Sequence, residues 1–242
     1  MGVLYDTEIL ADSPVGYWKL NETSGTTAYD SSGNGNNGTL HGGITLNQPG
    51  PWSGGGAAMT FNGSTGYITV PALANAISGS FTVEAWANYT NLTNAGEILS
   101  TRQPNDESFD IDFQADLHSD IGTGSAWLTT AANASYTFSL STWYHVVMTV
   151  STSSYSQYIN GLLVNSSSLS GGTPLLTDST HLINFGADAN GSSQFLQGSL
   201  TCIAIYSTAL PPSRVLAHYR AAVHEGAAHP TMPMQVAATT TI

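Results

Sequence analysis

A succession of short β-rich runs, each closed by a cluster of Gly, Asn or Ser, most constrains the fold. The runs are Gly16–Leu20, Ala57–Phe61, Tyr67–Val70, Phe81–Tyr89, Glu97–Thr101, Phe109–Phe113, Ala126–Thr130, Tyr144–Val150, Ser156–Ile159, Leu162–Ser166, Leu182–Phe185 and Gly198–Tyr206. Many short strands split by turn residues are the pattern of a sandwich or barrel, not of alternating strands and helices. Phe81-Thr-Val-Glu-Ala-Trp86 and Tyr144-His-Val-Val-Met-Thr-Val150 mix alternation with continuous apolar residues, which predicts central strands. Asn160-Gly161 between two such runs predicts a two-residue hairpin, because both turn positions need positive φ. Helices are expected only near the ends, over Tyr5–Ala11 and Pro211–Tyr219. At 242 residues the chain fits one large β domain, here 1–222, with 223–242 reading as an extended arm.

Charge excludes several partners. Lys19, Arg102, Arg214 and Arg220 are the basic residues, against 16 acidic ones, for a net charge of −12. Nucleic acid and anionic membrane surfaces need clustered Lys and Arg, so neither is expected as a partner. No run approaches the roughly 18 apolar residues of a membrane span, so no membrane insertion is expected. Cys202 is the single cysteine, so no intrachain disulfide forms, and its apolar neighbours predict a buried, inert thiol. Met1–Glu8 has no positive n-region and no long apolar stretch, so the expectation is either a chain already processed or one that leaves its cell without the general secretory route. Low charge with abundant Ser, Thr, Asn and Gly suggests an extracellular or virion surface.

Several stretches together resemble one family. They include Val15-Gly-Tyr-Trp-Lys-Leu-Asn-Glu-Thr-Ser-Gly25, Asp30-Ser-Ser-Gly-Asn-Gly-Asn-Asn-Gly-Thr39, Phe61-Asn-Gly-Ser-Thr-Gly-Tyr-Ile-Thr-Val70 and Phe81-Thr-Val-Glu-Ala-Trp86. Thr142-Trp-Tyr-His-Val-Val-Met148, Tyr158-Ile-Asn-Gly161, Gly198–Leu210 and Arg214-Val-Leu-Ala-His-Tyr219 follow in order. The chain resembles a laminin-G-like domain of the concanavalin A-like lectin/glucanase superfamily over roughly residues 12–222. The resemblance implies an all-β, antiparallel, two-sheet jelly-roll β-sandwich, with short terminal helices and the chain ends close together. It also implies a module that binds or scaffolds and is not an enzyme. Its closing words look most like modules of actinobacterial secreted proteins and of phage head or tail proteins. Many relatives carry Asp-Glu after the glycine of the last long strand, where this chain has Gly198-Ser-Leu-Thr201-Cys202. That departure removes an acidic pair that helps hold calcium in such domains.

Two stretches hold candidate site residues. Asp30, Ser32, Asn34 and Asn36 place oxygens at the alternate positions of a calcium loop, so Ca2+ is the cofactor such a loop would take. His41 stands where a helix–loop–helix site needs a bidentate glutamate, so that motif is excluded, and an Asx-rich turn bonded to its own backbone is the other reading. The second stretch is Asp106-Glu-Ser-Phe-Asp110-Ile-Asp112-Phe-Gln-Ala-Asp116, with Asp120. Asp110 and Asp112 share one strand face, read as a solvated outer face, with a second cation or a sugar site as the functional alternative. Trp52, Trp127, Tyr136 and Tyr155 lie near turns and are the candidate glycan-contact rings, core or interface packing being the commoner role for such rings.

Other residues carry weaker signals. His145 reads as a satisfied structural histidine. His224-Glu-Gly-Ala-Ala-His229 is one residue too long for a zinc motif, since i and i+5 lie about 140° apart on a helix. No Glu-x-Asp-x-x-Glu of the glucan-cleaving relatives occurs, so hydrolysis is the weakest expectation and no catalytic residue is named. The expected role is a non-enzymatic structural or adhesion protein of a phage virion, a head decoration or tail-associated subunit. It would dock on other virion or surface proteins, as an oligomer or within a larger assembly, through an arm carrying His224, Met232, Met234, Val236 and Ile242. Outward loops would bind cell-surface or environmental glycans. The alternative is a secreted bacterial lectin module.

Overall fold

A computed structural model describes residues 3–52, 57–91, 96–103, 106–188 and 191–226. In chain order the elements begin with α1 (Val3–Ala11), β1 (Gly16–Trp18), β2 (Thr27–Ala28), β3 (Gly38–His41), β4 (Ile44–Pro49), β5 (Ala57–Asn62), β6 (Tyr67–Val70) and β7 (Ile77–Ser78). Next come β8 (Phe81–Tyr89), β9 (Gly96–Ser100), β10 (Phe109–Phe113), β11 (Leu117–Gly122), β12 (Trp127–Thr129) and β13 (Trp143–Val150). The last are β14 (Ser154–Ile159), β15 (Leu162–Ser168), β16 (Leu175–Thr177), β17 (Ile183–Phe185), β18 (Gln197–Tyr206) and α2 (Pro212–His224). Two antiparallel sheets form the expected sandwich. The first runs β15-β14-β13-β8-β18-β5-β4, with β1 added beside β18, and the second runs β12-β11-β10-β9-β17-β6-β3-β2.

The central strands of the first sheet are buried on both faces, which explains their long apolar runs. Phe81, Val83, Ala85 and Tyr89 of β8 join Val146, Met148 and Val150 of β13 in the inter-sheet core. Trp86, Val147, Tyr158, Ala204 and Tyr206 pack on the other side with Tyr5 and Ile9 of α1 and Val215, Ala221 and Ala222 of α2. Asn160 (φ 52°) and Gly161 (φ 77°) make the anticipated two-residue turn between β14 and β15. Cys202 is fully buried, and burial pushes its thiol up to about 12.

The helices lock the chain ends together. Arg214 donates to Asp12 Oδ2 and Glu8 Oε2, each at 2.8 Å. Tyr5 N–H and Leu4 N–H donate to the Glu225 carboxylate, which satisfies two orphan donors at the start of α1. The expected closing helix is therefore longer than Pro211–Tyr219. Ala221 and Ala222 continue its buried face, and Gly226 at φ 87° ends it. His224, expected at the start of an extended arm, is instead an exposed residue of the last helical turn. Met232, Met234, Val236 and Ile242 lie outside the described residues.

His145 is structural but not satisfied. It sits between the Trp86 and Tyr219 rings (centroids 5.4 and 6.1 Å), and neither ring nitrogen has a hydrogen-bond partner. Burial drives it to about 4, so it stays neutral under ordinary conditions.

Candidate functional site

The Asp30 loop closes on itself through hydrogen bonds. Asp30 Oδ1 accepts from Tyr17 N–H (3.0 Å) and Ser32 N–H (2.8 Å). Its Oδ2 accepts from the Ser32 hydroxyl and Asn36 N–H, both at 2.9 Å. Asn34 and Asn36 turn their amide nitrogens to the Val15 carbonyl, at 3.0 and 2.8 Å. Four donors thus occupy the carboxylate, and the asparagines brace the chain before β1, which is the geometry of an Asx-rich turn. Trp18 Nε1–H donates to the Asn36 carbonyl (2.8 Å), tying the loop to the core. Thr201 donates its hydroxyl to the Lys19 carbonyl (2.8 Å) and packs as a structural residue.

The rings do not form one platform. Trp52 is 6% exposed and packs on Tyr5 and Trp86, and Tyr155, also 6% exposed, lies in the inter-sheet core. Neither is presented to solvent, because helices and sheets cover turn positions that look open in the sequence. Tyr136 is half-buried against Phe138 and Tyr144. Trp127 alone of the four lies on the outer face of the second sheet. It pairs with Gly122 on β11, and the Arg102 guanidinium sits 5.1 Å from its ring centroid.

Asp110 and Asp112 are on that outer face, as alternation requires, but they are not solvated. Both are 1% exposed. Arg102 Nη1 donates to Asp110 Oδ2 at 2.8 Å and lies 3.7 and 3.8 Å from Asp120 and Asp188 oxygens. Asp110 Oδ1 accepts from Asp120 N–H (2.8 Å). Gln114 and Gln194 each donate to Asp112 Oδ2 at 3.3 Å. His118 Nε2 lies 3.1 Å from Asp120, and its Nδ1 lies 2.6 Å from Asn133 Oδ1. Asp106 is drawn elsewhere, to His181 Nε2 at 2.6 Å, while Glu107 and Asp116 are half-buried.

Glu97 reaches this cluster through a β-bulge. Ile111 pairs with Leu99 but Asp112 pairs with Glu97, so one extra residue, Ile98, is absorbed between them. Regular alternation would turn Glu97 to the core side with Leu99; the bulge places it beside Asp112. Glu97 is fully buried, and both of its carboxylate oxygens lack a hydrogen-bond partner. Burial, then repulsion from Asp110 and Asp112, pushes its carboxyl well above the ordinary 4.5. Burial and Asp120 raise Asp110 to about 6, and burial and Asp110 raise Asp112 to about 7. The hydrogen bond to Asp120 raises His118 to about 9, so it is a cation at neutral pH. Glu97, Arg102, His118, Asp188 and Asn133 escape sequence reasoning. Arg102 carried a usable signal, being one of four basic residues and abutting the acidic stretch.

The comparisons fit this architecture. The family model described as the concanavalin A-like lectin/glucanases superfamily matches residues 62–216. Among solved structures, domain 4 of AbnA, a GH43 extracellular arabinanase from Geobacillus stearothermophilus, in complex with arabinotriose, is 19% identical at a TM-score of 0.65. That match covers 86% of this chain and 98% of the arabinanase domain. The receptor-binding domain of the botulinum neurotoxin C/D mosaic serotype is 19% identical, with a TM-score of 0.66 over 86% of this chain and 51% of that one. The binding domain of Paraclostridial Mosquitocidal Protein 1 gives 19% and 0.65 over 87% and 52%. This chain spans about half the length of the two toxin domains. Likeness at this identity shows a shared fold. No curated protein matches the sequence.

Proposed function

This chain belongs to the concanavalin A-like lectin/glucanases superfamily, and from that membership we propose a non-catalytic module that binds a glycan on the outer β12-β11-β10 face. The observation that carries this reading is Trp127, half-buried at the sheet edge with Arg102 against its ring, on the face where Arg102 also approaches Asp120 and His118 pairs with Asp120. A sugar presents an apolar face that stacks on a ring and hydroxyls that pair with planar polar groups. Trp127 offers the first, and Arg102, His118 and Asn133 the second. The arabinotriose held by the arabinanase domain of like fold adds support. Hydrolysis is disfavoured because it needs two carboxyl groups placed across the scissile bond. Glu97, Asp110 and Asp112 are sealed beneath Arg102 and the glutamines, out of reach of a sugar. A glycan array should therefore give hits with the intact chain and no shortened products. Trp127→Ala should weaken those hits about tenfold or more while leaving the fold intact. Blank arrays at high valency, an undiminished variant, or turnover of the glycan would contradict the proposal.

We further propose that the module works as a particle-surface component, a phage decoration or tail-associated subunit, with secretion by a bacterium as the competing setting. Support comes from the low charge, the appended segment 227–242, and the resemblance of residues 209–219 to modules of phage head or tail proteins, which actinobacterial secreted proteins share. Truncation must begin at 227, because Glu225 holds the first turn of α1. Deleting 227–242 is expected to abolish incorporation into particles without changing the unfolding temperature. Unchanged incorporation would contradict the docking role.

A further inference from the structure

The carboxylate cluster under Arg102 is divided into two halves with different accounts. Asp110, Asp120 and His118 form a group whose ligand atoms lie within 4.8 Å of one another, the spacing of a metal site. That half already has its cations, since Arg102 donates to Asp110 and His118 Nε2 lies 3.1 Å from Asp120 Oδ1 as an ion pair. The other half does not. Both oxygens of Glu97 and Oδ1 of Asp112 are shielded from solvent and bonded to nothing. Across the described cluster, five carboxyl groups (Glu97, Asp110, Asp112, Asp120, Asp188) have two cations near them, Arg102 and His118, with neutral donors from Ser100 to Asp188 and from Gln114 and Gln194 to Asp112. Fully buried carboxylates ordinarily have partners, because leaving them bare costs several kcal/mol each.

We propose that Glu97 and Asp112 bind one calcium ion. Directly opposed residues of paired strands hold their Cβ atoms roughly 4.5–5.5 Å apart on one face, so the two carboxyl groups flank a common point. Glu97 has both oxygens free, as a bidentate ligand requires, and Asp112 has one. Calcium takes six to eight oxygens in flexible geometry, and tolerates mixed carboxylate and amide donors. Gln114 and Gln194 already converge on Asp112 Oδ2 from two loops. Turning either amide over would set an oxygen in place of its nitrogen beside the Asp112 carboxylate, where it could join the ion's shell. The bulge at Ile98 acquires a purpose in this account, because it is what carries Glu97 out of the core and onto Asp112. The site is distinct from the Asp30 loop, whose carboxylate is filled by four protein donors. It does not depend on glycan binding.

The test uses the full chain, stripped with chelator and then titrated with calcium chloride by calorimetry and by thermal unfolding. One saturating ion is expected, with a rise in unfolding temperature of about 5 °C or more at a hundredfold excess over the dissociation constant. Glu97→Gln and Asp112→Asn are near-isosteric, and each removes one carboxyl group that would ligate the ion. In chelator they should unfold no lower than the unsubstituted chain, yet lose the calcium response. Asp30→Asn should retain it. The proposal is overturned if the unsubstituted chain binds no calcium, if both cluster variants respond normally, or if Asp30→Asn alone loses the response.

Discussion

His218→Ala is expected to destabilise the fold by about 3–5 kcal/mol, because it strips the partner from a buried carboxylate. His218 is fully buried on α2 and lies between two acids. Its Nδ1 is 2.9 Å from Glu84 Oε2 on β8, and its Nε2 is 2.9 Å from Asp12 Oδ2 at the end of α1. One imidazolium thus joins both helices to the centre of the first sheet. Burial pushes the Glu84 carboxyl up, but His218 outweighs it and holds the group below 4.5. Burial pulls the His218 imidazole down, and Glu84 and Asp12 reverse that to hold it above 6.5. A carboxyl held low stabilises above its unfolded value and loses that contribution as pH falls. An imidazole held high stabilises below 6.5 and loses its contribution as pH rises through its folded value. The deficit of His218→Ala should accordingly be largest between about pH 4.5 and 6.5 and should shrink on the alkaline side. Tyr5, Tyr206, Arg214 and the neutral His145 surround the pair in both forms, so the difference between the two proteins isolates it. Urea unfolding across pH measures this. A deficit under about 1 kcal/mol, or one independent of pH, would contradict the role assigned to His218.

Trp18→Ala should cost a comparable 3–5 kcal/mol and should also loosen the Asp30 loop. Trp18 is fully buried and meets Phe185 of the opposite sheet edge-on, at 5.0 Å between centroids. Its ring therefore spans the sandwich, while Nε1 holds the Asn36 carbonyl. A Cβ added at Gly16 would lie 2.2 Å from the Trp18 ring, so the glycine two residues earlier is the space the indole needs. Trp18→Phe should retain most of the packing and lose about 1 kcal/mol for the hydrogen bond. Equilibrium unfolding, with amide exchange read at Asn36 and Ser32, separates the two losses. Amides that stay protected in Trp18→Ala would show that the loop does not depend on the indole.

The strands read most readily from sequence are those with the most to bury. β8 and β13 are continuous apolar runs because helices cover the far face of their sheet. β4 and β11 are harder to read because polar side chains interrupt their apolar positions. Ile44–Pro49 alternates half-buried with exposed residues and ends on a proline, and Leu117–Gly122 alternates core residues with His118 and Asp120. The Asp30 loop was legible as an Asx-rich segment, and its geometry follows that local chemistry. The carboxylate cluster was not, because Asp110 and Asp112 on alternate positions give no sign of what covers them. Arg102, Gln194 and Asp188 arrive from distant loops, and the bulge that brings in Glu97 leaves no residue pattern behind. Trp52 and Tyr155 misled for the same reason, since a turn residue is exposed only if nothing folds over it.

Glycan recognition at the Trp127 face is tested most directly by an NMR titration with the tightest-binding glycan found on the array. Saturable shifts are expected at the Trp127 indole N–H, the Arg102 side-chain N–H groups and the His118 and Asn133 signals. Signals of the Asp30 loop, at the β1–β3 end of the molecule, should stay unmoved. Shifts confined to Asn34, Asn36 and their neighbours, with Trp127 unperturbed, would place binding elsewhere and contradict the assignment.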